Sequence, residues 1–594
     1  MGRVKGKTSI FFAIFSLLPI AFHRRKEYNC LRVCIGTKVM EYKVTEMKTF
    51  YPCLLNCLKS YSKAQFVKDV ISGIIVAIIA LPLSIALAIA SGVGPAVGLY
   101  TAIVAGFVIA LLGGSRVQIS GPTAAFATIV AGIVATQGIE GLALATIMAG
   151  IILILMGVLK LGGLIKFIPY TITTGFTSGI AVTILIGQLK DFFGLTFTHS
   201  PVETMEKLGE VIRCFGTVNI WSVVIGVLAL AILIGLPKLM PKVPASLIAV
   251  IVCALVVKLF DVPVNTIGTL YPDITSAPPH LTLPTGITLN KIISLGPDAF
   301  TIAVLAGVES LLSAVVADGM IGTRHNSNTE LIAQGVGNIG SALFGGIPAT
   351  GAIARTAANI KNGGRTPVSG IVHALLLFAM LVILMPYAKL IPMPAIAAIL
   401  FLVAYNMSEW REFVAIIKTS PKSDTLVLVA TFLLTVIFDL VVAIVVGIIL
   451  ATVLFMKRMS DETSVRGWVP IDENADPDRI GLKHIPADTM VYEITGPIFF
   501  GASDKVADIF SEAHKRVVIL RMRSVPAIDA TGIHSFETII KTCQKKDITL
   551  IISHANEQPM KVFEKAGMVE EIGRENFCPS IDAALERART ITEG

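Results

Sequence analysis

Few residues in this chain could do chemistry inside an apolar environment, and one of them is an arginine. Arg355 lies in GGIPATGAIARTAANIKNGG (345–364), a stretch of small residues broken by Pro348 and set among long apolar runs. A charged side chain at the centre of a membrane helix costs about 2.5–3.5 kcal/mol on insertion scales, so Arg355 requires a partner. Glu309, in AVLAGVESLLSAVVADG (302–318), is an acid near the middle of an apolar run, and the two are expected to lie close together in the protein interior. A second stretch, QISGPTAAFA (118–127), repeats the Gly-Pro-small pattern. Proline lacks a backbone N–H and disfavours helical geometry in the residue before it. Both stretches should therefore enter extended and turn helical part-way across.

A helix start offers unsatisfied N–H groups and about half a positive charge. Two of them facing one another make a site for a small anion, with Pro122, Thr123, Ala124, Ala125, Phe126, Ala352, Ile353, Ala354 and Arg355 as its candidate ligands. The small residues let a ligand reach the backbone. Kinking and helix packing are the plain alternative for such runs; two runs at matched positions favour the site. An ionised Glu309 cancels Arg355 and leaves about one positive charge from the helix ends. A proton on Glu309 adds a second, which would couple anion uptake to proton uptake. The plain alternative here is a structural ion pair. Ser313, one turn after Glu309, is a candidate for the same cavity, and His373 in IVHALLL is expected to be a hydrogen-bonded packing residue.

The elements that must position these residues are membrane helices. The chain has 594 residues, 54% of them hydrophobic and 15% charged, with a mean hydropathy of +0.77, outside the range of soluble domains. Apolar windows fall near 70–90, 96–113, 117–135, 141–160, 171–189, 218–236 and 243–260, then near 299–317, 329–345, 347–362, 367–386, 392–408, 423–438 and 439–456. That is seven plus seven, with the interrupted segment third in each set. Corresponding interrupted segments in two halves are the sequence mark of a transporter's binding site. With the N-terminus inside, Arg116, Lys160, Lys238, Arg324, Arg365, Lys457 and Arg458 fall on the cytoplasmic side, as the positive-inside rule requires. The net charge of +8 is thereby accounted for without nucleic acid. The eight cysteines are scattered and read as single apolar residues rather than a disulfide framework or metal site. Residues 9–22 resemble a signal-peptide core without a cleavage site, and translation is expected to start at Met47, leaving 1–46 outside the native protein.

After Arg458 the chain turns polar. DTMVYEIT, VVILRM and ITLIIS read as buried strands, separated by helices near 503–515, 531–545 and 557–566 and followed by one near 579–590. In PAIDATGIHSF (526–536), Asp529 is placed to cap a helix whose exposed N–H groups favour anions, including a phosphate on Thr531. No G-x-x-x-x-G-K-[ST] loop occurs, so ATP-driven transport is not supported, and no nucleophile-base set or cofactor motif points to an enzyme.

With these residues in view, the chain resembles the SulP (sulfate permease) family of anion transporters. DVISGIIVAIIALPLSIALAIASGVGPAVGLYTA (69–102) is similar to the family's first-span signature, and GIPATGAIARTAANIKNGGRTPVSGIVHA (346–374) to its tenth span. IDATG resembles the D-x-[ST]-G turn of STAS (sulfate transporter and anti-sigma factor antagonist) domains. The resemblance implies a polytopic α-helical membrane protein of fourteen segments in two inverted repeats. Core and gate subdomains would move in an elevator-like manner, commonly as a homodimer, with a cytoplasmic α/β STAS domain for regulation, assembly or a protein partner. It implies segments at 1–68 (N-terminal extension), 69–457 (transport), 458–487 (linker) and 488–594 (STAS), in the plasma membrane with both termini cytoplasmic. It also places the first-span residues Ala80, Leu83 and Leu87 beside the anion, where many members carry polar or aromatic side chains. The pattern is similar to a bacterial dicarboxylate/sulfate-type subgroup, so sulfate, bicarbonate and C4-dicarboxylates are the expected substrate classes. An anion channel, a nucleobase carrier and a membrane-tethered signalling protein are the competing readings.

Overall fold

The computed structural model describes residues 30–35, 38–43, 50–59, 61–163, 169–199, 201, 203–240, 243–272, 274, 276–285, 287–438, 440–467, 485–500 and 515–593. The apolar run 9–22 and Met47 lie outside the described residues, as does the helix expected near 503–515 but for its last residue. The chain forms two compact units, Met1–Val414 with Phe432–Ala443, and Ala415–Thr431 with Ile444–Gly594. Among the described residues, nine helices are long and apolar enough to cross a membrane.

In the first unit a hairpin pairs β1 (Cys30–Ile35) with β2 (Lys38–Lys43), and a short helix α1 (Cys53–Lys59) precedes the first long one, α2 (Lys63–Ala90). The Ser62 hydroxyl accepts from the Gln65 N–H and caps α2, one of the orphan donors every helix start must satisfy. Helix α3 (Pro95–Leu112) follows, then a two-residue strand β3 (Ser120–Gly121), a 3-10 turn (Ala124–Phe126) and α4 (Ala127–Val158). The windows at 117–135 and 141–160 fall on the two helical stretches of α4, which meet at a kink. The kink is at Gly138, whose φ of 69° and ψ of −177° end one helix and begin the next in a conformation open to glycine at little cost.

In the second half, α5 (Leu289–Ile321) and α6 (Ser327–Leu343) lead to β4 (Thr350–Gly351), α7 (Ile353–Lys361) and α8 (Val368–Ala388). Helix α4 packs against α5 and α6, while α8 packs against α2 and α3. The α4–α6 contact depends on backbone approaching backbone: a Cβ on Gly150 would sit 2.6 Å from the Gly335 carbonyl, and one on Gly335 would sit 2.4 Å from that of Gly150. Small residues at such crossings let membrane helices close on one another.

The second unit contains a five-stranded sheet in the order β5 (Ser464–Gly467), β6 (Thr489–Thr495), β7 (Val517–Ser524), β8 (Thr549–Ser553), β9 (Phe577–Cys578). β5 is antiparallel to β6, and the remaining pairs are parallel. Alternation along β7 sends Val518, Leu520 and Met522 to one face with Phe536 and Phe563, and Val517 and Ile519 to the other with Leu585 and Ala588. A parallel sheet needs both faces covered, and the helices Ala530–Lys545, Glu557–Lys565 and Ile581–Glu593 supply the cover. The strand β5 lies in the polar stretch 460–488, which reads as a linker and leading strands, whereas β9 has no counterpart in the sequence reading; at two residues it is too short to show a period.

Candidate anion site

Both interrupted segments enter the first unit as extended chain, and the two extended pieces pair. Ser120 lies opposite Gly351 and Gly121 opposite Thr350, antiparallel. The pairing is extended by the Ala352 N–H, which donates to the Ile119 carbonyl at 2.8 Å, and by the Ile119 N–H, which donates to Thr356 Oγ1 at 3.0 Å. Immediately beyond the pair, each chain turns helical: one into the 3-10 turn and α4, the other into α7. Within α7 the first helical bond runs from the Thr356 N–H to the Ala352 carbonyl, so the N–H groups of Ile353, Ala354 and Arg355 have no acceptor within the helix.

Around this junction Pro122, Thr123, Ala124, Ala125, Phe126 and Ala352 are buried, whereas Ile353 is 41% exposed and Ala354 is exposed as well. The start of α7 therefore faces open space. The Arg355 guanidinium is 3% exposed. Its Nη2 donates to the Pro122 carbonyl at 2.5 Å, and Nε and Nη1 have no hydrogen-bond partner. Glu309, half-buried on α5, accepts from Thr123 Oγ1 at 3.0 Å. The arginine and the glutamate thus bind adjacent residues of one extended segment and lie within electrostatic range of each other. Among the described residues Arg355 forms no direct ion pair. A buried cation with two free donors is an incomplete hydrogen-bonding set, and such groups in native proteins await a ligand, ion or water.

The other candidate residues are less central. Ser313 is fully buried and bonds Thr356 Oγ1 at 3.4 Å, behind the strand pair. Ala80 and Leu87 are buried within the packing of α2, and Leu83 is half-buried. The polar contact from α2 to this region comes instead from Ser72, whose hydroxyl donates to Asn359 Oδ1 at 2.7 Å. His373 departs from its expected role: it is fully buried, and neither ring nitrogen has a hydrogen-bond partner.

Sequence reading missed the side chains that hold the junction in shape. Glu330, in the first turn of α6, is fully buried. Its carboxylate accepts from the Gly114 and Ser115 N–H groups at 2.9 and 3.1 Å, from Gln118 Nε2 at 3.0 Å, from Gln334 Nε2 at 3.1 Å and from Ser310 Oγ at 3.3 Å. Asn359 Nδ2 donates to the Val117 carbonyl and to Ser369 Oγ, both at 2.8 Å. Asn338 grips the opposite entry, accepting from the Ala349 N–H at 2.8 Å and donating to its carbonyl at 2.9 Å. The available signal was Gln118, Gln334 and Asn338, amide side chains inside otherwise apolar runs. Removing the Glu330 carboxylate, the shared acceptor, leaves its buried donors unsatisfied, at about 1–3 kcal/mol for each that finds no new partner. Glu330→Ala is therefore expected to lower the thermal unfolding midpoint of the detergent-purified protein markedly; an unchanged midpoint would show that the network does not secure the fold.

In the second unit Asp529 caps the helix Ala530–Lys545, accepting from the Gly532 N–H at 2.8 Å and from the Phe500 N–H at 3.0 Å, and Thr531 is exposed beside it.

Residues 66–431, more than half of the chain, match the sulfate permease family, and residues 481–584 match the STAS domain. The chain belongs to the sulfate permease family. Within that family it is 40% identical over 523 residues to the putative sulfate transporter YvdB of Bacillus subtilis (strain 168), covering 87% of this chain and 97% of the relative. It is 30% identical over 508 residues to the bicarbonate transporter BicA of Synechocystis sp. (strain ATCC 27184 / PCC 6803 / Kazusa), covering 83% and 88%. The murine Solute Carrier 26 family member A9 anion transporter in its inward-facing state superposes with a TM-score of 0.81 at 18% identity over 99% of each chain, a likeness of fold.

Proposed function

We propose that this sulfate permease family member is a secondary active transporter of a small anion, of the sulfate, bicarbonate or C4-dicarboxylate class, bound between the starts of α4 and α7. The observation that carries the proposal is the buried Arg355, tied at Nη2 to the Pro122 carbonyl and free at Nε and Nη1, beside the unsatisfied amide ends of two half-helices. Those dipoles supply about one positive charge, and the guanidinium supplies donors suited to a carboxylate or oxyanion. Relatives described as sulfate and bicarbonate transporters support the first two classes.

Glu309 is the proposed proton carrier. Neutralised, it leaves Arg355 uncompensated and the site more attractive to an anion; Thr123, hydrogen-bonded to it and adjacent to Pro122, links the two events. Ser313 and the first-span residues Ala80, Leu83 and Leu87 are proposed to line the path. The transport region is assigned to 69–457, arranged as fourteen segments in two inverted repeats that alternate access in an elevator-like manner, with a linker at 458–487. The STAS domain at 488–594 is assigned to regulation or assembly, with Thr531 as its candidate phosphorylation site. A homodimer in the plasma membrane, with both termini cytoplasmic, completes the proposal.

Uptake of labelled sulfate, bicarbonate and succinate into proteoliposomes, with and without an imposed pH gradient, tests the function. Concentrative uptake of one of them driven by the gradient is expected. Flux that only dissipates the anion's own gradient contradicts the carrier reading and identifies a channel.

A further inference from the structure

Away from the anion site, Cys53 and Cys57 sit one turn apart on α1, with their sulfurs in contact at 3.8 Å. The sequence suggests single apolar cysteines; the fold makes them a dithiol. Cys57 is 6% exposed, and Cys53 is only partly buried, so a reagent reaches the pair from the Cys53 side. The hydrogen bond from Cys53, helped by the nearby Arg116 charge, brings the Cys57 thiol down to about 7, while the same contact and burial push Cys53 up. A near-neutral thiol close to a guanidinium is the setting in which cysteines react. Among the described residues no cluster of three His, Cys, Asp or Glu side chains forms a metal site, so redox chemistry is the better use of the pair.

The position of α1 gives that chemistry a consequence. The Cys53 N–H donates to the Gly113 carbonyl at 2.8 Å, and the Tyr51 N–H donates to Thr329 Oγ1 at 3.0 Å. Gly113 opens the segment whose next two N–H groups bind Glu330 and which runs on into β3 and Pro122. A movement of Cys53 therefore acts at one end of the strand that receives Arg355.

We propose that Cys53 and Cys57 are a reversible redox pair, closed by a small disulfide into an intrahelical disulfide that reshapes α1 and slows transport. Cys57, having lost its proton to solvent, attacks one sulfur of the small disulfide as the thiolate, expelling a small thiolate and leaving a mixed disulfide on Cys57. Cys53 gives its proton to that small thiolate and attacks Sγ of Cys57. The second small thiolate leaves and takes up a proton from solvent in place of the one Cys57 lost. Two electrons and two protons pass in total from the pair to the small disulfide, which becomes two thiols. Residues four apart on a helix have Cβ atoms about 5–6 Å apart, whereas a disulfide needs about 3.8 Å. The bond therefore cannot close on an undisturbed turn. With seven residues, α1 is too short to resist as an isolated helix.

The full-length protein in proteoliposomes, treated with oxidised glutathione and then dithiothreitol, tests the proposal. The peptide 49–59, released by cleavage after Lys48 and Lys59, is expected to lose two hydrogens without a glutathione adduct and to regain them on reduction. Uptake should fall several-fold and recover in parallel. Cys53→Ser should trap the adduct on Cys57 and transport normally under reducing conditions. An unchanged peptide mass, or a stable adduct on the unmodified sequence, overturns the redox pair. A disulfide that forms without altering uptake overturns its link to transport. The mass readout does not depend on which anion is carried, so it stands apart from the transport assignment.

Discussion

Arg355→Gln is expected to weaken anion binding roughly 10- to 150-fold, the range set by losing one charge-assisted hydrogen bond worth about 1.5–3 kcal/mol. The effect follows from the environment of the side chain. At 3% exposure, the guanidinium cannot be replaced by water at little cost, and its free Nε and Nη1 have no competing protein acceptor to satisfy first. Glutamine keeps one donor and much of the volume but loses the charge and the fork. Arg355→Lys keeps the charge without the planar fork and is expected to recover part of the affinity for a monoatomic anion but little for a carboxylate or oxyanion. Equilibrium binding of the transported anion to purified protein checks both, with the unfolding midpoint recorded alongside, because the bond to the Pro122 carbonyl is lost too. Affinities of both variants equal to the starting protein's would exclude Arg355 as a ligand.

Glu309→Gln should abolish the pH dependence of uptake. The sign follows from charge alone. As pH falls on the side from which the site loads, Glu309 gains a proton, its negative charge disappears, and the field at the anion becomes more positive. Uptake by the unaltered protein should therefore rise toward low pH. A unit charge about 7 Å away in a medium of effective dielectric about 20 is worth roughly 2 kcal/mol, or about 30-fold in affinity. Linkage makes the effect reciprocal, so the anion must raise the proton affinity of the site by the same factor. In Glu309→Gln the charge is permanently absent: anion affinity should be high at every pH, and a pH gradient should no longer concentrate the anion. Proton-driven accumulation that persists in this variant would remove Glu309 from the coupling step. Thr123→Val, which takes away the hydroxyl bonded to Glu309, tests whether that contact transmits the change; it is expected to leave the sign of the pH dependence intact while reducing its size.

Features dictated by local chain chemistry were legible in the sequence. Pro122 and Pro348 each forbid regular helix at a fixed place, so the extended entries could be read off GP and IP followed by small residues. The long apolar runs marked helices such as Pro95–Leu112 and Tyr170–Phe193 within a few residues. Features decided by tertiary approach were not. Glu330 reads as an ordinary acid in a first helical turn, where the dipole alone would favour it; only the arrival of Gly114, Ser115 and Gln118 from a distant loop makes it a hub. The bond from Arg355 to a backbone carbonyl rather than to Glu309 has no sequence signature either, because it depends on the register of β3 against β4. For Cys53 and Cys57 the spacing was visible, since residues four apart share a helix face, but their helix is short and lies outside the long apolar runs.

The most direct test is a structure determined with the transported anion bound. The expected result is anion density at the junction of the two half-helix starts, within hydrogen-bond distance of Arg355 Nε or Nη1 and of a backbone N–H from 123–126 or 353–355. Density that lies elsewhere in the transport region, with Arg355 Nε and Nη1 still unpaired, contradicts the proposed site.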